Sequence, residues 1–84
     1  MFDYLFTFRS LTAAQRAKAL LRDGNVFSVL ERAPKRLSGQ GCGYVLRVSS
    51  GDGMRALRLL RAGGAGFGHL YRLFQNGLLE EVRG

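Results

Sequence analysis

Tyr4-Leu5-Phe6-Thr7-Phe8 is rich in aromatic and β-branched residues, which is typical of a β-strand. The residues that follow it predict a helix over 11–23, because alanines and leucines recur there at helical spacing. Ser10 and Thr12 are both N-cap candidates, and Thr12 forms a T-x-x-Q capping box with Gln15. A strand and a helix are therefore predicted in direct succession.

Three further strands and a second helix complete the predicted pattern. The strands are expected at 26–30, 44–48 and 69–74, where β-branched and aromatic residues concentrate. The second helix is expected after the Ser/Gly/Asp-rich stretch 49–53 and before Gly63-Gly64. It has an apolar stripe of Met54, Leu57 and Leu60 and a basic side of Arg55, Arg58 and Arg61.

The element order β-α-β-β-α-β predicts an α+β fold of the ferredoxin-like plait type, a four-stranded antiparallel sheet with two helices on one face. We expect a single domain over 1–74 and a C-terminal tail over 75–84. The side chains expected to face the helices are Phe6, Phe8, Phe27, Val29, Tyr44, Leu46, Val48, Tyr71 and Leu73. Those expected on the opposite face are Leu5, Thr7, Ser28, Val45, Arg47 and Arg72. Because that second face is half apolar, a second subunit could cover it, and a homodimer is one expectation.

The chain of 84 residues has a net charge of +7, from 13 Lys and Arg against 6 Asp and Glu. Such a charge suggests an acidic partner, either nucleic acid or an acidic protein surface. The alternative interpretation is a coding bias, which is favoured because the basic residues are mostly arginine and are spread along the chain. No apolar run approaches the ~20 residues of a spanning helix, and no basic signal-peptide region precedes one. We therefore expect no membrane association, and the single cysteine makes a cytoplasmic, reducing setting the default expectation.

The chain has one cysteine, Cys42, and one histidine, His69, which excludes an internal disulfide framework and a four-ligand zinc site within one chain. No cofactor is expected. A Cys-His hydrolase would require His69 to reach across the sheet, so we interpret His69 as a strand residue whose ring has a partner.

Cys42 lies between Gly41 and Gly43, in a loop that also contains Lys35 and Arg36. Glycine neighbours leave the thiol uncovered, and nearby cations favour the reactive thiolate. The alternative is a small buried residue at the start of a strand.

The plait brings this loop to the sheet end where the first helix starts. Arg9, Ser10 and the free amides of that helix would then lie near Cys42, and helix N-termini lower thiol pKa values. Arg9, Ser10 and Lys35 are thus the candidates for stabilising a Cys42 thiolate.

Several segments together resemble a small bacterial family named Putative Se/S carrier protein-like. The resemblance covers residues 3–74 and rests on Tyr4-Leu5-x-Thr7-Phe8-x-Ser10, Pro34-x-Arg36-Leu37-Ser38 leading to Cys42-Gly43, Leu46-Arg47 and Leu70-Tyr71-Arg72. The stretch Ser-Gly-Gln-Gly between Leu37 and Cys42 is one residue longer than the usual pattern.

The resemblance implies a carrier that holds sulfur or selenium on Cys42 as a persulfide or selenopersulfide. It further implies that Arg36, Ser38, Gly41 and Gly43 shape the loop of the carrier cysteine. The implied partners are a cysteine desulfurase-like donor and a sulfur or selenium acceptor protein.

Two alternatives from other classes stay open. Gly41-Cys42-Gly43-Tyr44-Val45 resembles the RNP1 pattern of RNA-recognition motifs, which share this element order. Laid on that pattern, Gln40 replaces the basic residue and Cys42 replaces a stacking aromatic, so only Tyr44 remains to stack a base. Nucleic-acid binding is therefore disfavoured. The other alternative is a regulatory or interaction domain in which Cys42 is inert.

Overall fold

A computed structural model of the protein describes residues 1–38, 41 and 43–82. Its strands are β1 (Phe2–Phe8), β2 (Val29–Arg32), β3 (Tyr44–Ser49), β4 (Leu70–Phe74) and β5 (Leu79–Glu81). Its helices are α1 (Leu11–Asp23), α2 (Lys35–Ser38) and α3 (Gly53–Ala62), and a short 3-10 helix (Ser50–Asp52) precedes α3.

The five strands form one antiparallel sheet in the order β2-β3-β1-β4-β5. The first four strands have the order of the ferredoxin-like plait, so the predicted fold class is confirmed. The sheet has one strand more than the four predicted, because β5 is added outside β4. Strand β1 lies at the centre, where Phe8 pairs with Tyr44 of β3 and Phe6 pairs with Leu70 of β4.

The main core lies between the sheet and the helices α1 and α3. Strand β1 contributes Phe6 and Phe8, both essentially inaccessible to solvent. Helix α1 buries Ala14 and Ala17 against them, and such small side chains let a helix approach a sheet closely. The start of α3 packs as tightly, since a Cβ at Gly53 would lie 2.0 Å from the Tyr4 ring.

Helix α1 has the predicted bounds, but the residue that caps it differs from the predicted capping box. Ser10 has an extended backbone, and its hydroxyl oxygen accepts a hydrogen bond from the amide of Ala13 at 3.1 Å. Thr12 is already inside the first turn and cannot be the N-cap. The prediction of a capping box formed by Thr12 and Gln15 was therefore wrong, and Ser10 is the N-cap of α1.

The predicted side-chain orientation of the fourth strand was also wrong. Tyr71 pairs with Leu5 and lies with it on the face opposite the helices, in a cluster to which Leu73 also belongs. Arg72 pairs with Tyr4 on the helix side, where its guanidinium lies 5.8 Å from the Tyr4 ring centroid. The pairing register of an antiparallel sheet fixes this alternation, and the sequence of β4 alone does not reveal it.

The second strand begins three residues later than predicted. Asn25 has φ 63°, and the amide of Val26 donates to the carbonyl of Leu21 at 2.8 Å. This turn places Val26 in the core before the strand starts, while Phe27 is 79% exposed. Val29 then pairs with Arg47 on the face opposite the helices, so Phe27 and Val29 are not the core residues predicted.

Part of the segment predicted as a tail belongs to the sheet. Residues 75–78 form a tight turn in which Gly77 has φ 88° and its amide donates to the carbonyl of Phe74 at 2.9 Å. Strand β5 follows this turn and pairs Leu79 with Leu73. No helix within the described ranges is long and apolar enough to cross a membrane.

Candidate functional site

The predicted carrier residue, Cys42, lies outside the described residues, as do residues 39 and 40. The site is therefore defined by the chain on both sides of it. These flanking segments belong to the connection between β2 and β3, at one end of the sheet.

Both ends of this connection are fixed to each other. Arg32 pairs with Tyr44 at the end of the two strands, and the amide of Ala33 donates to the carbonyl of Gly43 at 2.9 Å. Gly41 has φ 81°, a conformation that favours glycine, and both Gly41 and Gly43 are exposed. The residues on either side of Cys42, Gly41 and Gly43, therefore lie at the surface. The Arg32–Tyr44 pair and the Ala33–Gly43 hydrogen bond close the base of the loop.

The upstream half of the connection is anchored on the sheet face opposite α1 and α3. Helix α2 forms there, with the amide of Leu37 donating to the carbonyl of Pro34 at 2.8 Å. The Leu37 side chain is only 4% exposed and packs in a second core with Leu5, Val45 and Tyr71. Leu37 thus ties the loop to the centre of the sheet. This anchor was missed in the sequence, where its signal was a lone leucine among basic and small residues.

The predicted cations lie at the same end of the sheet but on its two sides. Because Phe8 pairs with Tyr44, the turn from β1 to α1 that contains Arg9 and Ser10 lies beside the β2–β3 connection, as the topology predicted. Arg9 is exposed, and Ser10 caps α1.

Lys35 and Arg36 are exposed residues of α2, on the opposite side of the sheet from α1. Ser38 is the last residue of α2. The structure therefore does not gather the predicted cations and the α1 N-terminus on one face. Their effect on Cys42 stays a prediction.

His69 lies at this same end, next to β1. Its amide donates to the hydroxyl of the buried Thr7 at 2.8 Å, and its carbonyl accepts from the amide of Thr7 at 3.0 Å. The ring nitrogen Nδ1 lies 3.0 Å from a carboxylate oxygen of Glu81. The ring therefore has a partner, as predicted. Glu81 was not foreseen because β5 was predicted as part of a tail.

The other charged cluster on this sheet face is an ion-pair network around Arg47. Its guanidinium donates to Glu31 at 3.0 Å and to Asp3 at 3.3 Å. Burial acts to lower the pKa of Arg47, but the hydrogen bonds and negative charges of Glu31 and Asp3 raise it above its usual range. The network is internally compensated and offers no free cation. Among the described residues, no group of three His, Cys, Asp or Glu side chains could hold a metal ion.

Comparison with known proteins identifies a family. The sequence model of the family described as Putative Se/S carrier protein-like matches residues 3–72, a range that includes the β2–β3 connection and Cys42. Neither a curated protein nor a solved structure matches the chain significantly. Since the family match covers most of the 84 residues, the chain belongs to the Putative Se/S carrier protein-like family.

Proposed function

We propose that the protein carries a sulfur or selenium atom on Cys42, between a donor protein and an acceptor protein. The observation that carries this proposal is the family match over residues 3–72, within which Cys42 is the only cysteine. The exposed glycines on both sides of Cys42 and the closed base of its loop support it, because a carrier thiol needs access rather than a deep pocket.

The chemistry is a transfer between thiols. The Cys42 thiolate attacks the outer sulfur of a donor persulfide, as in thiol–disulfide exchange. The S–S bond of the donor breaks, a new S–S bond forms at Cys42, and the donor cysteine leaves as a thiolate. The terminal proton stays on the transferred sulfur, and no net oxidation occurs. The reverse attack, by an acceptor thiolate, unloads the carrier, and selenium follows the same balance.

The donor that fits this step is a cysteine desulfurase-like enzyme, because it presents an enzyme-bound persulfide. The acceptor is a protein that uses the sulfur or selenium. In this scheme, Leu37 and the Ala33–Gly43 hydrogen bond fix the two ends of the loop that presents Cys42 to the donor and the acceptor.

The RNA-binding alternative is disfavoured by the position of Tyr44. Its half-buried side chain packs against the core on the helix side of the sheet. An RNA-recognition motif stacks bases on aromatic residues of the sheet surface. Here the opposite surface is partly covered by Leu37 of α2, and Tyr44 does not belong to it.

The test of the proposal is direct loading of the protein. Reduced protein is incubated with glutathione persulfide, and its intact mass and its Cys42 peptide are measured. A gain of about 32 Da, one sulfur, is expected at Cys42 and is reversed by excess thiol. A Cys42→Ser variant provides the control.

Reactivity of the thiol gives a second readout. Iodoacetamide should label Cys42 at a pH well below the ~8.5 of a free cysteine. A native protein whose Cys42 is neither alkylated nor loaded would refute the carrier function.

A further inference from the structure

The positive charge of this protein is concentrated on its helices. Helices α1 and α3 contain six basic side chains and one acidic residue, Asp23. We call the six the basic helix surface, and all of them are exposed: Arg16, Lys18, Arg22, Arg55, Arg58 and Arg61.

The acidic residues are concentrated in the sheet instead. Asp3, Glu31, Glu80 and Glu81 lie on strands, and each is paired with Arg47, Arg72 or His69. Among the residues that the structure describes, no ion pair involves α1 or α3. The net charge of +7 is therefore presented largely on one side of the molecule.

Among the described residues, one of the six basic side chains has a hydrogen-bond partner. Arg55 donates to the carbonyl of Gly24 at the C-terminus of α1, at 2.7 Å. Arg16 and Arg58 make no hydrogen bond or ion pair within the described chain. Within the part of the chain that the structure describes, these two exposed charges are not compensated by an ion pair, which leaves them open to an acidic partner.

We propose that the basic helix surface docks an acidic surface of the protein that donates sulfur or selenium to Cys42. This inference rests on the proposed carrier function. Charge complementarity is its first argument, since clustered charges steer association and set orientation.

Composition is the second argument, and it favours a protein over a nucleic acid. Neither α1 nor α3 contains an aromatic residue, so this surface offers no platform on which single-stranded bases could stack. It does offer Met54, which is 60% exposed beside the arginines. Methionine and arginine are both enriched in protein–protein interfaces.

Position is the third argument. Helix α1 starts three residues after Phe8, which pairs with Tyr44 at the downstream end of the Cys42 loop. The start of α1 and the Cys42 loop therefore lie at the same end of the sheet, and a partner bound along the helices would reach that end.

The experiment compares a protein donor with a small donor. Sulfur loading of Cys42 is measured with a purified cysteine desulfurase plus cysteine, and separately with glutathione persulfide. The test variant is Arg16→Gln/Arg58→Gln, and the control is Gln75→Glu/Asn76→Asp in the exposed β4–β5 turn. The test variant loses two positive charges and the control gains two negative charges, so each has a net charge of 7 − 2 = +5 and the change lies at different places on the surface.

The expected result is loading by the desulfurase that is about five-fold slower in the test variant than in the control at about 0.05 M salt. The difference should shrink below about two-fold at about 0.5 M salt, where the charges are screened. Loading by glutathione persulfide should be the same in both variants.

Several results would overturn the docking proposal. Equal loading of both variants by the desulfurase would do so, as would slower loading of the test variant by glutathione persulfide. Loading of the wild type by glutathione persulfide but not by the desulfurase would overturn the docking and leave the carrier function standing. Loading by neither donor would remove both. Binding of a duplex oligonucleotide that competes with the desulfurase and is lost in the test variant would assign the surface to nucleic acid.

Discussion

Replacing Leu37 by alanine tests whether the Cys42 loop is anchored through the second core. Leu37 is 4% exposed and packs against Leu5, Val45 and Tyr71. The change removes three carbon atoms, which at ~0.8 kcal/mol each is a transfer loss of about 2.4 kcal/mol. Leu37 packs on the paired strands β1, β3 and β4, which cannot move in to fill the cavity that the smaller side chain leaves. The free-energy cost of this cavity is therefore added to the transfer loss. We expect a total loss of about 3 kcal/mol.

The measurement is the free energy of unfolding from urea titration, with Arg36→Ala as the control. Arg36 is the exposed neighbour in the same helix, and its replacement should change stability by less than about 0.5 kcal/mol. A domain of 84 residues has a stability of about 4–13 kcal/mol, so the Leu37→Ala variant stays folded. A loss below about 1 kcal/mol would refute the reasoning, because it would mean that Leu37 contributes no packing to the second core.

Two further substitutions test the fold around α1 and α3. Ser10→Ala should lower the free energy of unfolding by about 1 kcal/mol, because it removes the cap of α1, whereas Thr12→Ala should cost less than about 0.5 kcal/mol. The opposite ranking in thermal denaturation would restore the predicted capping box. Gly53→Ala should destabilise the protein by about 1–3 kcal/mol, because the added Cβ would lie 2.0 Å from the Tyr4 ring. Gly51→Ala is its control, since a Cβ there meets open space, and equal stabilities of the two variants would contradict the close approach.

Much of the fold was predictable because local signals and core pattern agree. Strand β1, helix α1 and the order of the first four strands follow from hydrophobic periodicity and turn residues. The orientation of β4 was not predictable in this way, because Leu70 and Tyr71 are both apolar enough to face a core. Only the pairing of Leu5 with Tyr71 determines which of them faces the helices.

The sequence does contain a signal for the fifth strand. Asn76-Gly77 is a typical turn dipeptide, and it separates β4 from a strand of three residues. A strand this short has no periodicity of its own, so its hairpin turn is the better evidence. Its omission also hid the partner of His69, since Glu81 lies on β5.

Some features of the candidate site could likewise be predicted from the sequence, and others could not. The order of the elements predicts that the β2–β3 connection lies beside the start of α1, and the pairing of Phe8 with Tyr44 shows this for the described end of that connection. The anchor at Leu37 depends on long-range packing across β1, β3 and β4, which a loop sequence does not encode locally. The role of Cys42 as the carrier residue stays a prediction from the sequence and the family.

Cys42 is proposed to accept sulfur from a donor and to release it to an acceptor. The most direct test follows labelled sulfur onto Cys42 and off it again. Cysteine labelled with heavy sulfur is supplied to a desulfurase and the protein, and excess glutathione is then added as the acceptor thiol. Mass spectrometry of the Cys42 peptide and of glutathione persulfide follows the label over time.

We predict that the label appears first on Cys42 and then leaves it at the rate at which labelled glutathione persulfide forms. The Cys42→Ser variant should show neither the labelled peptide nor the protein-dependent product. Label that reaches glutathione equally fast with the variant, or that never appears on Cys42, would contradict the account.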